Sequence, residues 1–142
     1  MQKTILITGA TSGFGKACAL AFAKETHRLI LTGRRAERLE SEAKALSSAY
    51  GVEVLTLNFD VRDREAVKKA IDNIPEAWRN IDILINNAGL AAGSDPIQDG
   101  NIDDWEQMID TNIKGLLYVT KSVFPLMLKS TCPHIVNIGS IA

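Results

Sequence analysis

The chain has 142 residues, 46% of them apolar and 23% charged, and a net charge of −1. That length suits a single domain, 1–142, which buries about 68% of its unfolded surface on folding. The near-neutral charge gives no electrostatic case for nucleic acid or an anionic membrane, and no apolar run is long enough to span a bilayer.

The elements alternate. A strand is predicted over 3–8, a helix over 13–25, a strand over 27–32, a charged helix over 36–50 and a strand over 52–57. A helix over 64–74, stopped by Pro75, leads to a strand over 81–85. A loop rich in Gly, Asp and Pro covers 90–102, a long helix 103–129 and a fifth strand 134–138. Continuous Ile/Leu/Val strands between helices imply a parallel sheet covered on both faces, and right-handed crossovers make it doubly wound. A ligand site is expected at the carboxyl ends of the strands. His27 and His134 begin strands at the opposite end and read as structural. The long helix is apolar nearly all round between Leu116 and Leu128, which implies a second partner beyond the sheet: a neighbouring helix of the chain, or another subunit.

Cys18 and Cys132 have no CxxC or Cys/His spacing, so they read as free thiols, with no metal expected. Met1-Gln2-Lys3 leads into a strand without a signal pattern, and the expected compartment is the cytoplasm.

The first strand runs into Thr8-Gly9-Ala10-Thr11-Ser12-Gly13-Phe14-Gly15 and then into a helix. Strand, glycine turn and helix N-terminus together present backbone N–H groups to an anion, the arrangement that holds a dinucleotide pyrophosphate; a tight βα turn is the plainer reading. At the end of the second strand stand Thr32-Gly33-Arg34-Arg35, with Arg38 one turn on and no acid. An acid there suits the 2′-hydroxyl of NAD, and arginine suits the 2′-phosphate of NADP, so NADP is the expected cofactor. Asp60-Val61 follows the third strand; Asp60 could accept from an adenine amino group or cap the next helix. Asn86-Asn87-Ala88-Gly89 ends the fourth strand, where carboxamides can tie strand ends together and small residues leave room for a ligand. Asn112 and Gly115 are poor helix formers inside the long helix and suggest a kink, a functional polar group or a buried Asn bonded to backbone. Ser140 follows the fifth strand, with no His nearby for a hydrolytic triad.

These motifs, in this order, resemble the short-chain dehydrogenase/reductase family over the whole chain, and within it the NADP-dependent serine (3-hydroxy acid) dehydrogenases. The resemblance implies a Rossmann-type fold, of which the chain holds the N-terminal five-strand part. It implies pyrophosphate on residues Gly9 to Gly15 and the 2′-phosphate on Arg34 and Arg35. It places adenine beside Asp60 and Val61, and the adenosine and ribose along Asn87, Ala88 and Gly89. Ser140 would hold the oxygen of a small-molecule substrate, Asn112 would position a water of the proton relay, and the long helix 103–129 would join subunits of a homo-oligomer.

The family's Tyr-x-x-x-Lys pair is absent: Tyr50 and Tyr118 are the only tyrosines, and neither has Lys four residues on. The chain as written is therefore expected to be inactive. It is expected to be the N-terminal part of a longer enzyme, an expectation that the open edge of a sheet ending at the fifth strand supports. The alternative is a truncated module that binds NADP without turnover.

Overall fold

The computed structural model describes residues 1–141; Ala142, the end of the expected domain, lies outside them. Five strands, β1 (Thr4–Ile7), β2 (Arg28–Gly33), β3 (Val54–Asn58), β4 (Ile83–Asn86) and β5 (His134–Asn137), form one parallel sheet in the order β3-β2-β1-β4-β5. Register is continuous across the centre, with Ile5 opposite both Leu29 and Ile83. The order reverses beside β1, so β1 and β4 flank the crevice where such sheets bind ligands.

Successive strand residues point to opposite faces, and the core divides accordingly. Leu6, Ile30 and Leu84 face one side, against α3 (Arg64–Asp72) and α5 (Leu116–Met127) through Val67, Ile71, Val119 and Val123. Ile5, Ile7, Leu29 and Leu31 face the other, against α1 (Gly13–Lys24) and α2 (Ala36–Tyr50) through Ala19, Ala23, Leu39 and Leu46. Cys18 packs half-buried against this second cluster, and Cys132 is exposed; both are free thiols.

The end opposite the crevice is stapled by polar groups. Asp82 accepts from the Thr4 amide (2.8 Å) through one oxygen and from the Ser130 hydroxyl (2.7 Å) through the other. His27 Nδ1 accepts from the Lys3 amide (3.1 Å), the structural role expected of it.

The long helix differs from expectation. It comprises α4 (Ile102–Ile109) and α5, joined without a break by a π-helical stretch, Asp110–Gly115. The widened turn falls on the segment holding Asn112 and Gly115, the two poor helix formers, and is a recognised site of bending. Both expected faces are apolar. Val119, Val123 and Met127 are buried, while Ile109, Ile113, Leu117, Phe124 and Leu128 are exposed. β3 starts at Val54, two residues later than expected: Gly51 ends α2 in the left-handed conformation, and buried Val52 belongs to the connection rather than the ladder. No helix among the described residues is long and apolar enough to cross a membrane, and no cluster of three metal-ligating side chains occurs among them.

Candidate cofactor-binding site

The turn between β1 and α1 is a backbone cradle. Gly9 takes a positive φ of 60°, a conformation open chiefly to glycine, and the buried Ala10 donates its amide to Thr32 O (3.1 Å). A Cβ on Gly15 would lie 2.1 Å from Gly9 O and 2.4 Å from Asn87 Nδ2, so only glycine lets α1 begin this close to the strand ends. Ser12 occupies the N-cap without a side-chain capping bond. The first-turn amides of α1 are thus left for an outside acceptor, and the positive end of the helix dipole favours an anion there.

A hydrogen-bond lock joins this cradle to β4. Thr8 Oγ1 accepts from the amides of Asn87 (3.0 Å) and Ala88 (2.9 Å). In return, Asn87 Nδ2 donates to Thr8 O (3.1 Å) and Gly9 O (3.0 Å). Asn86 Nδ2 donates to Thr120 Oγ1 (2.9 Å) and Asn137 Oδ1 (3.0 Å), tying β4 to α5 and β5. The two carboxamides therefore join strand ends, as their position suggested.

Beside the lock opens a cleft. It gathers residues from four of the expected segments, Gly9, Thr11 and Ser12; Arg34 and Arg35; Asp60 and Val61; Ala88 and Gly89, while Asn112 is not on its wall. Ala10, Gly13, Gly15 and Asn87 belong to the cradle and the lock rather than the cleft wall, and Phe14 is 74% exposed at the start of α1. Arg38 is exposed on α2 and stands off the wall. Ser140 is exposed just beyond β5, also off it.

Asp60 does not cap α3. That position belongs to Asp63, whose Oδ1 accepts from the Ala66 amide (3.0 Å). Asp60 is held by Arg62: Nη2 donates to Oδ2 (2.7 Å), Nε reaches both oxygens (3.1 Å each), and the Arg62 amide donates to Oδ1 (2.9 Å). The Arg62 side-chain bond holds the Asp60 carboxyl below its usual range against the opposing effect of partial burial, helped by the nearby positive charge of Arg34.

Asn112 bonds to backbone, as one of its readings held, but it is exposed rather than buried. Its Oδ1 accepts from Leu90 N (2.9 Å) and its Nδ2 donates to Leu90 O (2.7 Å), pinning the start of the 90–101 loop to the π-helical stretch. At the other end of that stretch, Gly115 packs against Val61, where a Cβ would come within 2.7 Å of Cγ2. The stretch thus braces two walls of the cleft.

Thr32, Gly33, Phe59, Arg62, Leu90 and Thr111 also line the cleft. None of these six stands among the site residues expected from the sequence. Only Arg62 carried a signal: a guanidinium two residues from a carboxylate just past a strand.

The short chain dehydrogenase family model matches residues 3–142. The chain is 49% identical over 138 residues to the NADP-dependent 3-hydroxy acid dehydrogenase YdfG of Salmonella typhi, covering 97% of this chain and 54% of that protein. It is 52% identical over 143 residues to sulfoacetaldehyde reductase 2 of Chromohalobacter salexigens, covering all of this chain and 56% of that one. A serine dehydrogenase solved in its closed form with NADP+ superposes with a TM-score of 0.87 at 45% identity, over 97% of this chain and 54% of that one. The chain spans about half the length of the curated relatives it matches. With its five-stranded doubly wound sheet, its glycine cradle and its Asn-Asn-Ala-Gly lock, the chain belongs to the short-chain dehydrogenase family.

Proposed function

We propose that these residues form the NADP-binding half of an oxidoreductase that acts on a small hydroxy or oxo compound. The observation that carries the cofactor choice is the pair Arg34-Arg35 on the cleft wall just past β2, with no acid at that point. A 2′-phosphate would meet two guanidiniums there, and a bare 2′-hydroxyl would meet no carboxylate. Arg38, one turn on, adds positive charge.

In this reading the turn of residues 9 to 15 holds the pyrophosphate through the amides it leaves free, that of Ala10 being taken by Thr32 O. Asp60 and Val61 flank adenine, and Asn87, Ala88 and Gly89 line the adenosine and ribose path. When bound, NADP(H) supplies or accepts the hydride. Ser140 holds the substrate oxygen, and Asn112 positions a water of the proton relay. The sequence contains no Tyr-x-x-x-Lys. On this reading the 142 residues by themselves bind NADP without turnover.

For the whole enzyme we favour a 3-hydroxy acid such as serine or allo-threonine. The name of the Salmonella relative supports this, and the reductase of similar identity widens the class to other small anionic compounds. The exposed apolar stripe of the long helix, from Ile109 to Leu128, fits an interface between copies. A cytoplasmic compartment suits the two free thiols.

Fluorescence titration with NADPH and NADH tests the reading. NADPH is expected to bind at least about tenfold more tightly, the value of one charge-assisted contact. Equal affinity, or a preference for NADH, would contradict it.

A further inference from the structure

Asp60 is a cleft residue whose acceptor capacity is almost used up. Three N–H groups of Arg62 hold it: Nη2 on Oδ2, the backbone amide on Oδ1, and Nε, whose one hydrogen is shared between the two oxygens. An ionised carboxylate offers about four acceptor sites, so about one remains. Arg62 lines the same cleft, and its side chain is engaged by Asp60 through both Nε and Nη2. A carboxylate held on two sides by one residue has a fixed direction, and its last acceptor site points where that residue leaves it.

Resting on the cofactor reading above, we propose that Arg62 is a specificity-determining positioning residue: by clamping Asp60 it aims a single acceptor at the base and selects a purine with a 6-amino group over one with a 6-oxo group. A 6-amino group donates to that remaining site. A 6-oxo group presents a second acceptor to an ionised oxygen that cannot turn away, and the contact is repulsive. The charged groups around the pair act in the same direction: Arg34 bears on Asp60, and Asp110 on Arg62, and both favour the ionised state of the clamp. The base would be read by one carboxylate, and Arg62 would act only through it.

The test compares NADPH with its hypoxanthine counterpart, in which the 6-amino group is replaced by oxygen, by fluorescence titration of the protein and its variants. Thermal unfolding confirms that each variant is folded. The unaltered protein is expected to prefer the adenine form by at least about tenfold, and Arg62→Ala to bring the preference within about twofold. Arg62→Lys keeps the charge but not the fork, and is expected to restore part of the preference. In an Asp60→Asn background, Arg62→Ala is expected to change the preference no further, the mark of a residue that works through its partner. An equal loss of affinity for both bases in Arg62→Ala, or an undiminished effect in the Asp60→Asn background, would overturn the proposal and leave the cofactor reading standing. Failure of the unaltered protein to bind either form would overturn both.

Discussion

Thr8 and Asn87 hold each other through both side chain and backbone: the Thr8 hydroxyl accepts from the Asn87 amide at 3.0 Å, and the Asn87 carboxamide donates to Thr8 O at 3.1 Å. The same hydroxyl takes the Ala88 amide. One small side chain thus sets the spacing of the two strand ends between which the cleft opens.

Thr8→Val keeps the shape and removes the acceptor. It leaves two N–H groups without their partner, at a cost of about 1–3 kcal/mol each where water cannot replace it. Urea denaturation should show a lower midpoint at unchanged slope. No change in midpoint would mean that the lock contributes nothing to stability.

Gly13 and Gly15 make a contrast within one turn. A Cβ at Gly13 meets nothing within 4 Å, although its φ is +54°. The cost of Gly13→Ala is therefore conformational, about 1–2 kcal/mol. Gly15→Ala drives a methyl into Gly9 O and Asn87 Nδ2. It should destabilise by more, about 3 kcal/mol, and weaken cofactor binding as α1 is pushed away. Thermal melts of the two variants rank these costs, and the reverse order would contradict the close-approach argument.

The clamp on Asp60 has a pH signature. Its carboxyl is held below the ordinary value in the folded chain, chiefly by the Arg62 side-chain bond. The unfolded state therefore binds a proton first as pH falls. The stabilisation is fully present above about pH 4, the ordinary aspartate range, and is lost as the pH drops through the lower folded value. Asp60→Asn should flatten part of the acid limb of the stability profile and leave the profile between pH 6 and 8 unchanged. The partial exposure of the pair keeps the effect small.

Much of this was legible in the sequence, for identifiable reasons. Uninterrupted runs such as Ile5-Leu6-Ile7 and Leu29-Ile30-Leu31 admit only strands buried on two sides, and all six residues are fully buried. The charged helix has the bounds expected of it, 36–50, and Gly51 beyond it adopts the left-handed cap. Asp60 and Asp63 were harder. Both are carboxylates near the start of α3, and only the chain path decides which of them caps it. Asn112 and Gly115 marked an irregularity, but the π-helical form depends on what packs there: Val61 against Gly115 and Leu90 on Asn112. Thr111 joined the cleft by that same packing, and nothing in its local sequence announced it.

The exposed stripe on the long helix predicts self-association. Leu117 and Phe124 are 57% and 50% exposed on the side away from the sheet. Leu117→Glu puts a charge in the middle of the stripe and should weaken association at least about tenfold, since burying an unpaired charge costs more than the contact gains. Sedimentation equilibrium of the two proteins decides it. A monomer at all concentrations in the unaltered protein would remove the interface.

The central claim is that Arg34 and Arg35 read a 2′-phosphate. The most direct test is the ratio of the dissociation constants for NADH and NADPH, in the unaltered protein and in an Arg34→Ala/Arg35→Ala variant. The account predicts a ratio of at least about ten that collapses towards one when both guanidiniums are removed, with NADH affinity nearly unchanged. A ratio that survives the double substitution, or an equal loss for both cofactors, would contradict it.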